Sequence, residues 1–207
     1  FMEVINLSKK KIIIASTIKN VEKHIPIFFK LIDNIISQYN DYFIILVESD
    51  STDNTLIIAK KFLTDKKGKL IQVNTIECIH RTEKIALCRN EIIFDIKKNV
   101  ELKEFDYLLL LDADNINNLL TPEKIKNALQ DAPKNWVGIF PNQHFFYYDL
   151  WALRINNYFD YDCFEKFKKY SNIKNLKKVY NNVIFKKFFL IHKFKDRFIE
   201  VKSAFGG

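Results

Sequence analysis

The stretch Tyr107-Leu-Leu-Leu-Leu-Asp112-Ala-Asp114 decides how this chain is read. Four consecutive leucines suit a strand buried on both faces of a parallel sheet, where apolar–polar alternation disappears. The acids that end the run stand at i and i+2, so both carboxylates can enter one cleft as the strand terminates. Working outward, similar apolar runs predict strands at Lys11–Thr17, Tyr42–Glu48, Leu70–Ile76 and Trp136–Phe140. Between them lie helical periods. Pro26 suits a first turn and precedes an apolar stripe of Phe28, Phe29, Ile32, Ile35 and Ile36, while Thr52-Asp53-Asn54 can cap a helix carrying Leu56, Ile57, Ala59 and Phe62. Arg81–Lys98 and the segment opened by Thr121-Pro122 read as two more helices. Strand–helix alternation over residues 11–140 predicts an α/β domain with a mostly parallel central sheet and helices on both faces. Beyond residue 141 the pattern weakens: Tyr158–Lys178 reads as helix, and Asn182–Ile191 and Arg197–Lys202 as strands or loops.

The 207 residues are 48% hydrophobic and 28% charged with only 4 Gly and 4 Pro, which excludes disordered, collagenous and low-complexity classes. Cys78, Cys88 and Cys163 form no Cys-x-x-Cys pair, so a disulfide scaffold and a zinc–thiolate site are excluded and a reducing, cytoplasmic setting is expected. No apolar run approaches the length of a membrane span, and Phe1–Ser8 lacks the pattern of a signal peptide. Phe1 ahead of Met2 reads as a remnant foreign to the protein, and the stop at Gly206-Gly207 suggests that the one domain over residues 1–207 is a fragment of a longer chain. Net charge is +8, yet residues 164–202 hold 12 Lys/Arg against 3 Asp/Glu, and the rest of the chain 21 against 22. Such a segment suits a solvated face, and equally a nucleic acid, a membrane surface met peripherally or a phosphorylated small molecule.

Ligands of open α/β sheets bind beyond the carboxyl ends of the strands. The informative residues are therefore Ser16 and Thr17, Glu48, Thr75 and Glu77, and Asp112 and Asp114. Neither Gly-x-Gly-x-x-Gly nor Gly-x-x-x-x-Gly-Lys follows any predicted strand, which argues against a dinucleotide site and a P-loop. A cleft of acids and hydroxyls takes an anion only through a metal ion or a nearby Arg. Mg²⁺ and Mn²⁺ accept carboxylate oxygens while keeping part of their shell for phosphate. The plain alternative for Asp112-Ala-Asp114 is an Asx-turn that stops a strand. Glu48-Ser-Asp-Ser-Thr-Asp-Asn-Thr55 reads as a polar helix cap, one in which Glu48 itself is not needed for capping. Arg81 and Arg89, eight residues apart and close to one helical face, suit bidentate contact with phosphate or carboxylate, or else pairing with surface acids.

Taken in order, these motifs resemble those of glycosyltransferases of the GT-A fold, nucleotide-sugar enzymes with an Asp-x-Asp metal motif. The order is a first strand ending in small residues, a Glu-Ser-Asp-Ser-Thr-Asp segment, Ala86-Leu-Cys-Arg89-Asn90, then the leucine-rich strand into Asp112-Ala-Asp114. Within that superfamily the chain is similar to the capsule-associated α-mannosyltransferase-like group and to small virus-encoded glycosyltransferases, through Tyr148-Asp-Leu-Trp-Ala-Leu-Arg154 and Ser203-Ala-Phe-Gly-Gly207. Glu48 and Ser49 stand where many relatives have paired acids.

The resemblance implies a metal-dependent transferase, moving a hexose or deoxyhexose from a nucleoside-diphosphate sugar, UDP-linked, to a glycan acceptor hydroxyl. It implies that Thr17 and Glu48 face the nucleoside, with Ser16 and Ala113 in the same nucleotide-sugar site. Arg81 would hold the base or diphosphate and Arg89 the helix or the sugar. Asp112 would meet the ribose or the metal's water shell, and Asp114 would ligate Mn²⁺ or Mg²⁺ directly. Asp149, among Tyr147, Tyr148 and Trp151, is the candidate general base; its plain alternative is a helix cap within an aromatic core. His144 and His192 are further candidates for metal or phosphate contact, and otherwise ordinary packed or surface residues. Two other readings remain at this point: a nucleotidyltransferase acting on sugar phosphates, which lacks its usual Gly-rich loop at Ser16-Thr-Ile-Lys-Asn20, and a non-enzymatic basic binding module using residues 164–202. With the transferase reading no nucleic-acid partner is expected.

Overall fold

The structure is a computed structural model that describes residues 5–78, 80–140, 150–170, 180–181, 184, 187 and 198–204. The chain divides into two compact units, Phe1–Asp131 and Ala132–Gly207.

The first unit is built on four parallel strands: β1 (Lys11–Ile18), β2 (Asp41–Glu48), β3 (Gly68–Gln72) and β4 (Tyr107–Leu110), in the spatial order β3-β2-β1-β4. Helices α1 (Ile25–Ile36) and α2 (Thr55–Phe62) make the first two crossovers, α3 (Arg81–Lys98) carries the chain from β3 back to β4, and α4 (Pro122–Asp131) follows β4. Alternation along β1 divides the core in two. Ile12, Ile14 and Ile18 join Phe28, Phe29, Ile32 and Ile35 of α1 on one face, with Ile125 and Leu129 of α4 packed beside them. Ile13 and Ala15 join Cys88 and Ile92 of α3 on the other. Both sheet faces are thus covered, as the apolar runs predict. Burying an aliphatic or aromatic side chain is worth about 1.5–3 kcal/mol, so the stripe on α1 holds that helix more firmly than its propensity does. Pro26 sits in its first turn, and Phe29 stacks on Phe62 of α2 with ring centroids 3.7 Å apart.

Several expectations need correction. β3 begins at Gly68, two residues before the predicted Leu70, and ends at Gln72 instead of Ile76. A Cβ at Gly68 would lie 2.6 Å from the Ile44 carbonyl oxygen, so only glycine admits the close approach that starts the strand. At its other end Thr75 is drawn out of the ladder by Asp50, described below. Trp136–Phe140 is not a strand: it pairs with nothing in the sheet, and Val137 is fully exposed. β4 stops at Leu110, and Leu108 and Leu110 are 39% and 41% exposed, so it is not buried on both faces.

In the second unit α5 (Cys163–Tyr170) begins five residues after the predicted Tyr158, because Ile155–Phe159 closes a tight turn through a bridge. Residues 171–178 of the expected helix lie outside the described residues. Within Asn182–Ile191 the described Ile184 and Lys187 are helical, contrary to the strand or loop expected there. Lys187 is fully buried, and its Nζ donates to the carbonyls of Leu150 at 3.0 Å and Leu153 at 2.6 Å and to Cys163 Sγ at 3.0 Å. Three donors meet three acceptors, which is how a buried cation is tolerated; burial nonetheless pushes its pKa down. Arg154 and Ser203, 49 positions apart, are brought together. Arg154 N–H donates to the Ser203 carbonyl at 2.8 Å and its Nη1 to Ser203 Oγ at 3.0 Å. No helix among the described residues is long and apolar enough to cross a membrane.

Candidate functional site

Strand order β3-β2-β1-β4 reverses direction at β1, which makes the carboxyl ends of β1 and β4 the switch point where such sheets bind ligands. Leu111 N–H donates to the Ala15 carbonyl at 3.0 Å, extending the pairing one residue past β4. Thr17 and Asp112 therefore end their strands level with each other. Alternation places both on the α3 face, since Ile13 and Ala15 point there while Leu111 and Ala113 join the α1 cluster.

α3 brings two guanidinium groups to the same place. Arg89 Nη2 lies 3.4 Å from Asp112 Oδ1, and the charges of Arg89 and Arg81 both act on that carboxylate to lower its pKa. Burial outweighs them, so the Asp112 pKa is raised, with Asp114 adding to the rise. Asp114 is exposed and has no hydrogen bond or ion pair among the described residues. The loop that follows is held by Asn117 Nδ2, which donates to the Asp112 carbonyl at 2.6 Å, and by Asn115 at φ 71°.

The β2 end is different. Glu48 is 3% exposed and its Oε1 accepts the Ser51 N–H at 2.7 Å; it does cap the turn, contrary to the expectation that the cap does not need it. Asp50, at φ 50°, accepts the Thr75 N–H at 3.0 Å and the Thr75 hydroxyl at 2.6 Å. The hydroxyl bond, with the N–H bond behind it, holds the Asp50 pKa below the usual carboxylate range. Ser16 is buried too, and Oγ donates to the Thr17 carbonyl at 3.4 Å. Alternation puts Ser16 and Glu48 on the α1 face, opposite the arginines. The loops after β1 and β2 are tied side by side: Asn20 Oδ1 accepts the Thr52 N–H at 2.8 Å, Asp53 Oδ2 the Glu22 N–H at 3.1 Å, and Glu22 Oε1 the Asn54 amide at 2.7 Å.

The structure thus gathers Thr17, Arg81, Arg89, Asp112 and Asp114 at one crevice, with Ala113 buried beneath, and turns Ser16 and Glu48 toward the interior. Asp149, Tyr147, Tyr148, His144 and His192 lie outside the described residues. Sequence reasoning missed Asn20, Asp50 and Asn115, each in the left-handed region after a different strand. Asn and Asp tolerate that region best among residues with a Cβ, and such backbone positions gather at functional sites. Their signal was a set of glycine-free loops after β1, β2 and β4.

No group of three or more His, Cys, Asp and Glu converges among the described residues. The donor set on offer is two neighbouring carboxylates, and it fits Mg²⁺ or Mn²⁺, which take one or two carboxylates and leave the remaining positions to phosphate and water. A divalent cation would also relieve the repulsion that Asp114 exerts on Asp112.

No protein-family model matches the chain, and no match is found among curated proteins. Among solved structures, S. aureus TarS 1–349 in complex with UDP is similar at 22% identity with a TM-score of 0.39, over 57% of this chain and 31% of that one. A second structure of S. aureus TarS 1–349 is similar at 17% identity and the same TM-score of 0.39, over 70% of this chain and 41% of that one. The chain spans less than half the length of either TarS chain it matches.

Proposed function

We propose that the chain is a metal-dependent glycosyltransferase of GT-A type, a single domain over residues 1–207, that moves a hexose or deoxyhexose from a UDP-sugar to a glycan hydroxyl. The all-parallel α/β sheet flanked by helices is consistent with a GT-A-like fold. The observation that carries the functional reading is the meeting of Arg81, Arg89, Asp112 and Asp114 at the reversal point of a sheet that has no Gly-rich phosphate loop. Acids alone would repel a diphosphate. Acids beside two guanidinium groups make a site for a dianion accompanied by a dication.

In this reading Asp114 and Asp112 hold Mn²⁺ or Mg²⁺, which when bound would neutralise charge on the departing diphosphate. Arg81 and Arg89 bind diphosphate oxygens through their planar forks, and Arg89 keeps Asp112 oriented until the donor arrives. Thr17 and the turn that Glu48 and Asp50 fix form the floor on which the nucleoside rests. Asp149 takes the acceptor proton; on that assignment Asp149→Asn keeps donor binding and lowers transfer by about 10²–10⁴-fold. Near-normal transfer in that variant would remove Asp149 from the mechanism without touching the donor site.

The experiment that tests the reading is calorimetry of UDP binding in Mn²⁺ and in EDTA. Tight binding only with the metal is expected. Equal affinity in both, or none in either, would sink the proposal.

A further inference from the structure

α1 carries two stripes, one buried in the core and a second from which only Leu31 packs partly against it. Phe28, Phe29, Ile32, Ile35 and Ile36 are buried against the sheet. Ile27, Lys30, Leu31 and Asn34, at spacings i, i+3, i+4 and i+7, share a neighbouring face. This second stripe forms one wall of an open depression whose other wall is the loop from Asp112 to Thr121. Ile27 remains 55% exposed there. The loop wall is braced from within: Asn117 grips the Asp112 carbonyl, Lys124 Nζ donates to the Leu119 carbonyl at 2.7 Å, and Thr121 Oγ1 accepts the Lys124 N–H at 3.2 Å at the start of α4. A surface fixed in advance loses little entropy when it binds.

The chemistry of the lining is selective. Four asparagines, Asn34, Asn115, Asn117 and Asn118, line the depression; a carboxamide both donates and accepts, and that of Asn117 already gives one N–H to the Asp112 carbonyl. Lys30 is the one basic residue of the lining, while Asp112 borders it with its carboxylate turned to Arg89, so no cluster of cations draws an anion. The side chains of Lys30, Asn34 and Asn118 are exposed and have no hydrogen-bond or ion-pair partner among the described residues, so they are open to a ligand. Ile27, Leu31 and Leu120 supply an aliphatic ledge. Amides beside an aliphatic ledge match a neutral sugar ring, whose hydroxyls both donate and accept and whose C–H face is apolar. A phosphate group would find a single ammonium, that of Lys30, and no guanidinium in the lining.

From this geometry we infer that the depression between α1 and the Asp112–Thr121 loop is the acceptor subsite and takes a neutral, hydroxyl-rich saccharide. Asp112 borders both this depression and the crevice assigned to the donor. The inference rests on the transferase reading for the word acceptor, but sugar binding here is measurable without turnover. The test follows the side-chain amide resonances of Asn34 and Asn118 in ¹⁵N-labelled protein, in EDTA, as methyl glycosides of glucose, galactose, mannose and N-acetylglucosamine are added. At least one glycoside should shift both amides. Asn34→Ala combined with Asn118→Ala should weaken that glycoside about tenfold, read from other resonances of the loop, which is the loss of roughly one or two net hydrogen bonds. Lack of any shift, equal affinity in the double variant, or stronger shifts with inorganic phosphate would each overturn the subsite. Failure of UDP to bind with Mn²⁺ would instead break the transferase reading, and with it the acceptor role, even where the sugar binds.

Discussion

At the end of β2, Glu48 and Asp50 spend their carboxylates on the protein itself, on the N–H of Ser51 and on the N–H and hydroxyl of Thr75. At the end of β4, the Asp112 carboxylate meets only the long contact with Arg89 among the described residues, and Asp114 meets solvent. Both strands end in acids on the same edge of one sheet. The difference teaches that a strand-end acid is read by what already satisfies it. Acids whose acceptor sites are filled by protein donors build the turn, and acids left with open acceptor sites beside cations are the ones we propose meet a ligand. The contrast in pKa has the same origin, since hydrogen bonds hold the Asp50 pKa down whereas burial lifts that of Asp112.

The sharpest way to break this contrast is at Asp114. Asp114→Ala should remove most of the Mn²⁺-dependent gain in UDP affinity, at least about 10–100-fold by analogy with lesser losses around metal sites, while the melting temperature stays unchanged. A variant that melts much earlier would make Asp114 architectural and erase the distinction. Calorimetry and a thermal melt on the same sample decide it.

Glu48 should behave in the opposite way. Glu48→Ala leaves the Ser51 N–H without its acceptor in a buried turn, at a cost of roughly 1–3 kcal/mol in denaturant unfolding. UDP affinity should change only as far as the turn loosens. A stability loss near zero, with uridine binding abolished, would transfer Glu48 to the ligand site.

The smallest effects lie in the pH dependence, measured in EDTA as stability against Asn variants. Asp50 has a lowered folded pKa, so its carboxylate stabilises the fold above the unfolded value, and that contribution disappears as pH falls through the folded pKa. The wild type should therefore exceed Asp50→Asn at neutral pH and converge with it in acid. Asp112 has a raised folded pKa, so it favours the fold when protonated and loses that contribution as pH rises through the folded value. Asp112→Asn should consequently match or exceed the wild type at neutral pH, with the gap closing below the ordinary carboxylate range. Parallel pH curves for the two pairs would abolish the contrast between the strand ends.

The first 131 residues were largely legible without coordinates. Apolar runs located β1, β2 and β4 to within a few residues, Pro26 and Thr121-Pro122 marked helix starts, and Arg81–Lys98 forms the helix its periodicity predicts. Such features are local, since they follow from which side chains fit a buried strand or a helical turn. The misses were non-local. Gly68 starts β3 because the Ile44 carbonyl oxygen is in the way of any side chain, and Trp136–Phe140 has strand-like composition but pairs with no strand among the described residues. For the candidate site, residue types alone nominated Asp112, Asp114, Arg81 and Arg89.

What the sequence determined by itself is therefore the class of the sheet, the absence of a Gly-rich phosphate loop at its strand ends and the identity of the acids that finish β2 and β4. Tertiary structure alone decided which acids are free for chemistry. Arg89 reaches Asp112 across 23 positions and Thr75 reaches Asp50 across 25. Whether a carboxylate finds a protein donor depends on which distant strand end folds beside it. Hydrophobic periodicity reports the local face of each element. The partner of a polar group is fixed by strand order and register, which periodicity does not encode.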